Sequence, residues 1–192
     1  METAQNLLAI GDAASAERCL RTVMPGLLAL PTTVSSGVLY SSCCVLLSKT
    51  SMQLEKRDTA RAWLRRAMHV QGDLALDLPL ADSLQLDAQI LSYEGEYRQA
   101  KESLQRAERI LSRVETDEAL KCKLQVDIAT AEIQLGDHGL ARARLSGLLP
   151  TLRRRKRDRF SVELLPVAAH ALSHIVVPKR RLRRKSLPES IV

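Results

Sequence analysis

Four segments of this chain share one pattern, and that pattern limits the fold more than anything else in the sequence. They read GDAASAERCL (11–20), EKRDTARAWL (55–64), GEYRQAKESL (95–104) and GDHGLARARL (136–145). The sixth position is always Ala (Ala16, Ala60, Ala100, Ala141) and the tenth always Leu (Leu20, Leu64, Leu104, Leu145). Successive alanines lie 44, 40 and 41 residues apart. Ala67 and Ala107 follow three residues beyond the leucine in two segments. Ala and Leu four apart share one face of a helix. The Ala lets a neighbouring helix approach closely, and the Leu fills the groove beside it.

Each segment opens on a turn and is preceded by a second helical stretch. Gly11, Gly95 and Gly136 stand where a chain leaving one helix needs positive φ. Asp12, Asp58, Glu96 and Asp137 follow, where a carboxylate suits a helix N-terminus. The preceding stretches are 35–54, 80–94 and 115–135; Leu84, Ala88 and Leu91 form a helical stripe in the second, and Leu120, Leu124, Ile128 and Leu135 in the third. Loops holding Pro31, Pro79 and Asp117 separate the pairs. Ala, Leu, Arg, Gln and Glu dominate the middle of the chain, and long β-branched stretches are missing. The expectation is an all-α chain of nine helices, at 2–10, 12–24, 36–54, 58–71, 80–94, 96–114, 117–135, 137–149 and 158–175. That makes four antiparallel pairs and a closing helix, with Pro25 shortening or kinking the second helix and Pro166 kinking the last. The helical domain is expected over 1–175 and a basic disordered tail over 176–192.

The pattern resembles the tetratricopeptide (TPR) repeat family. The match is best at 80–111, through Ala88, Gly95, Tyr97, Ala100, Leu104 and Ala107. It weakens at 124–149, through Ala129, Gly136, Ala141 and Leu145, and further at 36–70, where Ser48 and Glu55 replace the usual small residue and Gly. The resemblance implies a right-handed superhelical stack of helix pairs, a TPR-like α-solenoid, whose first helices line a concave, peptide-binding groove. The spacing exceeds the family's usual 34, implying longer helices or loops. EGEYRQAKESLQRAERIL, followed by a pair closing in ARARLSGLLP, is also similar to the N-terminal part of the anaphase-promoting complex subunit 7 family. That resemblance implies a non-catalytic scaffold of a nuclear ubiquitin ligase, and with it cell-cycle work.

Catalytic signatures are missing: no GxGxxG, GxxxxGK[ST], GxSxG or HExxH occurs. His170 and His174 share a spacing of four, but no Cys, His or carboxylate partner stands at a metal-ligand distance in sequence. No catalytic residue, cofactor or metal is expected. Cys19, Cys43, Cys44 and Cys122 show no CxxC spacing and read as small apolar core residues in a reducing compartment. No secretory signal is expected from METAQNLLAI, and no apolar run approaches the ~20 residues that span a bilayer. The chain is expected inside the cell, in nucleus, cytoplasm or both. Candidate groove residues are Gln85, Gln89, Lys123, Asp127 and Glu132. No Asn occurs after Asn6, which argues against the carboxylate clamp of family members that bind acidic C-termini.

The net charge of +7 is concentrated in two runs, Arg153, Arg154, Arg155, Lys156 and Arg157, then Lys179, Arg180, Arg181, Arg183, Arg184 and Lys185. Eleven of the 29 basic residues sit there, leaving the rest of the chain with more acidic than basic groups. An import signal and a solubilising tail fit the runs equally well. Specific nucleic-acid binding does not, since the tail has no aromatic residue to stack on a base. RRKSLP around Ser186 resembles a basophilic-kinase target and, once phosphorylated, a 14-3-3 ligand; ESIV at the end resembles a PDZ-binding terminus. The closing helix carries Val162, Leu165, Ala169, Leu172 and Ile175, more apolar than a cap should be, which suggests a partner there or an array continuing in a longer protein. The expected function is a non-catalytic interaction scaffold or adaptor subunit. The alternative is an accessory helical domain of an enzyme or of transcription machinery.

Overall fold

The computed structural model describes residues 1–31, 33–154 and 159–174. Among them are nine helices and no strand: α1 (Glu2–Ala9), α2 (Ala13–Leu28), α3 (Val34–Gln53), α4 (Arg57–Asp73), α5 (Asp77–Tyr93), α6 (Tyr97–Leu111), α7 (Glu118–Gln134), α8 (His138–Arg154) and α9 (Arg159–His174). Neighbours in sequence are neighbours in space: α1 with α2, α3 with α4, α5 with α6 and α7 with α8 form the pairs. Helices α2 and α3, α4 and α5, and α6 and α7 join one pair to the next.

One turn geometry builds the stack. Gly11, Glu55, Ala75, Gly95 and Gly136 all adopt positive φ, between 51° and 85°. After each, the next N–H donates to a carbonyl five residues back: Asp12 to Leu7, Lys56 to Ser51, Leu76 to Gln71, Glu96 to Leu91 and Asp137 to Glu132, at 2.8–2.9 Å. This double-bonded C-cap satisfies the last carbonyls and reverses the chain within three residues. Glu55 and Ala75 take the left-handed conformation without being glycine. Side chains supply some of the opposite ends. Asp12 accepts from the Ser15 N–H, Asp117 accepts from the Ala119 N–H, and Thr33 and Ser36 cap each other reciprocally.

The repeated alanines and leucines form the contacts between helices. Ala16, Ala60, Ala100 and Ala141 are completely buried, as are Ala67, Ala107, Ala129, Leu64 and Leu145, with Leu20, Leu104 and Ala88 nearly so. Four apolar clusters run along the stack, each spanning consecutive helices. Three cysteines, Cys43, Cys44 and Cys122, are buried within them. Burial pushes the Cys44 thiol up to about 11, so it stays protonated and unreactive.

The helix limits differ from the expected ones mainly at prolines. Pro25 does not shorten α2, which runs to Leu28 because Leu20 and Met24 hold it against α3. Pro79 is not in a loop. It is the third residue of α5, in the first turn, where a missing N–H costs nothing. Helix α8 likewise passes through Pro150 to Arg154, with Leu152 buried. Helix α6 ends at Leu111, three residues earlier than expected.

Helix α9 lies where the first helix of a fifth pair would lie, against α8 and α7. Its Leu164, Ala168, Ala171 and Leu172 close over Cys122, Val126, Leu145 and Leu152. Leu172 therefore faces inward, while Ala169 and Val167 are exposed. The side chains of Val162 and Leu165, and Ile175, lie outside the described residues.

Candidate functional site

Three of the first helices, α3, α5 and α7, together with the short α1, line a groove that α5 divides into two cavities. One lies between α5 and α7, occupies about 360 Å³, and has Ala88, Leu104 and Ala131 as apolar floor. The other lies among α1, α3 and α5, occupies about 340 Å³, and carries Lys49, Gln71 and Asp82. The period of α5 explains the division. Gln85 and Gln89 are four apart and face α7; Asp82 and Leu86, also four apart, face α3.

Polar atoms inside the groove are incompletely satisfied. Gln85 is 5% exposed, yet its Nε2 has no partner among the described residues, and neither has Asp127 Oδ2 in the same cavity. Gln71 Oε1 and Ser83 Oγ are in the same condition in the other cavity. A buried polar atom without a partner costs about 1–3 kcal/mol. Such atoms are tolerated where a ligand makes the missing bonds. Two such atoms belong to the lining of each cavity.

The groove is electrostatically mixed. Burial raises the Asp127 carboxyl above its ordinary pKa, and Lys123, one turn away on α7, pulls it partly back. Burial raises Asp82 as well, against the pull of Lys49 and Lys123 from the flanking helices. Tyr93 and Tyr97 stand at the mouth of the α5–α7 cavity, Tyr93 being 71% exposed. Phenol rings so displayed suit contact with a partner better than core packing.

Of the five expected groove residues, Gln85, Gln89 and Asp127 line the cavity, and Lys123 acts on both groove carboxylates. Glu132 does not belong there. Its carboxylate is turned between α7 and α8, where both oxygens meet Arg144 at 3.3 Å, and Lys101 lies 3.6 Å away. Arg144 also reaches Glu108 and the Gln125 side chain, closing a network between pairs three and four. Sequence reasoning overlooked Asp82 and Tyr93. The signal for Asp82 was its place three residues before Gln85, but a carboxylate near a helix start is usually read as a cap.

The positions proposed for import and tail contacts fall mostly elsewhere. Arg153 and Arg154 are exposed in the last turn of α8, where cations favour the helix dipole. Arg155, Lys156, Arg157, Ser186 and the run from Lys179 to Lys185 lie outside the described residues. No helix among the described residues is long and apolar enough to cross a membrane.

Two solved structures share this architecture. They are the crystal structure of a Podosopora anserina putative kinesin light chain with nearly identical TPR-like repeats, and that of a variant form of the same protein. Each superposes with a TM-score of 0.73 at 16% identity, covering 91% of this chain and 82% of the other. At that identity the likeness establishes the fold: a TPR-like stack of helix pairs. No protein-family model matches the chain. No curated protein matches it either.

Proposed function

We propose that this TPR-like stack is a non-catalytic interaction scaffold that grips a segment of another protein along the groove of α1, α3, α5 and α7. The observation that carries the proposal is the α5–α7 cavity. It pairs an apolar floor with an unpartnered donor, Gln85 Nε2, and an unpartnered acceptor, Asp127 Oδ2. An extended peptide supplies both complements from its main chain at no cost in side-chain identity.

Gln89 and Thr130 line the cavity and are exposed, so bulk placed there blocks it without disturbing the core. A chain carrying Gln89→Arg and Thr130→Arg should keep its melting temperature and lose the partners that co-purify with the intact protein from cells. Retention of every partner would overturn the groove proposal. Membership in a nuclear ubiquitin-ligase complex is a finer proposal. It is supported by the resemblance at 94–111 to the anaphase-promoting complex subunit 7 family. Absence of that complex's subunits from the eluate would refute it and leave the groove proposal standing.

A further inference from the structure

The α5–α7 cavity offers more than an extended backbone needs. Asp127 Oδ2 is an ionisable acceptor, buried and without a partner among the described residues. Gln85, 5% exposed, contributes a second unpartnered polar atom to the same walls. Tyr93 is the last residue of α5 and Gln134 the last of α7, so two helix C-termini, with their partial negative charge, border the cavity. One helix N-terminus, that of α6 at Tyr97, opposes them. The positive charge acting on Asp127 is that of Lys123, and it is shared with Asp82.

A carboxylate in this position asks for a cationic donor. A neutral N–H satisfies one lone pair, whereas a guanidinium brings charge and a planar fork of donors. The phenol rings of Tyr93 and Tyr97 add faces on which a guanidinium stacks. The volume of about 360 Å³ accepts an arginine side chain together with a stretch of main chain. The other cavity lacks this combination, since its carboxylate, Asp82, already has Lys49 beside it and no aromatic residue lines the walls.

We infer that the α5–α7 cavity is a subsite for an arginine side chain of the bound partner, with Asp127 as its counter-ion and Tyr93 and Tyr97 as its stacking surfaces. This rests on the groove being a peptide site, and it names what the peptide must present. Gln85 then serves the peptide backbone, while Asp127 sets the register by taking the arginine.

The test uses four fluorescein-labelled decapeptide libraries, degenerate except at a fixed central residue: arginine, its neutral isostere citrulline, norleucine or glutamate. Binding to the full chain is followed by fluorescence polarisation. The arginine library should bind about tenfold more tightly than the citrulline library, the scale of one charge-assisted contact. Asp127→Asn, nearly isosteric, should cut that preference below twofold with no loss of melting temperature, and Asp82→Asn should leave it intact. Equal binding of arginine and citrulline libraries that is blocked by Gln89→Arg would sink the arginine subsite and spare the peptide groove. A preference for glutamate would also sink it. Binding by none of the four, or binding indifferent to Gln89→Arg, would remove both.

Discussion

Lys101 on α6 holds its ammonium 3.0 Å from the Asp137 carboxylate at the α7–α8 turn, and the stack repeats this bridge twice, once with its sign reversed. Lys101 is six residues past the left-handed Gly95, and Asp137 directly follows Gly136. Six residues past Gly11 stands Glu17, which meets Lys56, directly after Glu55, at 2.9 Å. Six residues past Glu55 stands Arg61, which meets Glu94, just before Gly95, at 3.0 Å. Helices α2, α4 and α6 thus each reach the turn of the next pair through an ion pair. Stacking pair one directly on pair four would set Glu17 against Asp137, like against like. The pattern discriminates among neighbours, a role the interchangeable alanines cannot play.

Reversing one of these bridges should therefore cost stability, and reversing both ends should recover part of it. Glu17 is largely buried at this contact, so Glu17→Lys is expected to lower the unfolding free energy by about 1–3 kcal/mol. Adding Lys56→Glu should return a measurable fraction, read from urea denaturation as a double-mutant cycle. Strict additivity of the two changes would show that the bridge contributes nothing.

Acid should affect two carboxylates in opposite senses. The hydrogen bond from Lys56, with help from Arg21, holds Glu17 below its ordinary 4.5. Its contribution is thus present above 4.5 and lost as pH falls through the lower folded value. Glu17→Gln should be less stable than the parent at neutral pH, with the difference closing in acid. Asp127 is raised above 3.8 by burial, so its ionised form opposes folding. Asp127→Asn should be more stable than the parent at neutral pH, and that gain should shrink as pH falls through the raised value toward 3.8. Melting temperatures from pH 7 down to 3 test both signs.

The network around Glu132 joins the third and fourth pairs. Glu132 is buried, and Arg144 meets both its oxygens. Arg144→Ala should destabilise the chain by about 3 kcal/mol, the lower end for breaking a buried pair, since Lys101 still compensates part of the charge. Hydrogen exchange should localise the loss to α7, α8 and α9. A loss spread evenly over the chain would contradict that role.

Two turns carry strain that glycine would relieve. Glu55 and Ala75 sit at φ 58° and 51°. Ala75→Gly and Glu55→Gly should each stabilise by up to about 1 kcal/mol, because a side chain in the left-handed region costs roughly 1–2 kcal/mol and glycine returns some of that as backbone entropy. Gly95→Ala should cost a similar amount. The thermal midpoints of the three variants decide the matter.

These turns also mark where the sequence is readable and where it is not. Gly11, Gly95 and Gly136 announce their turns because glycine is the residue that left-handed φ favours. Ala75 gives no such notice, and with Pro79 beside it the segment looks like a longer loop than the three residues between α4 and α5. The Ala–Leu pairs were legible because two helices must touch at each of them, which leaves room for only one size of residue. The groove was half legible. Gln85, Gln89 and Asp127 share their stretches with polar residues that turn elsewhere, and Glu132, five residues on from Asp127, looks as suitable as any. Only the placement of Arg144 on α8 draws Glu132 away, and no local pattern in α7 encodes that.

The left-handed residues 55, 75 and 95 stand at equal intervals of twenty. One residue inserted into α5 would rotate everything beyond it by about 100°, carrying Gln89 off the face it shares with Asp127. Adding or removing a complete helix pair would leave the remaining faces aligned. The groove is in this sense phased like the teeth of a rack. It changes length by whole units or it ceases to line up.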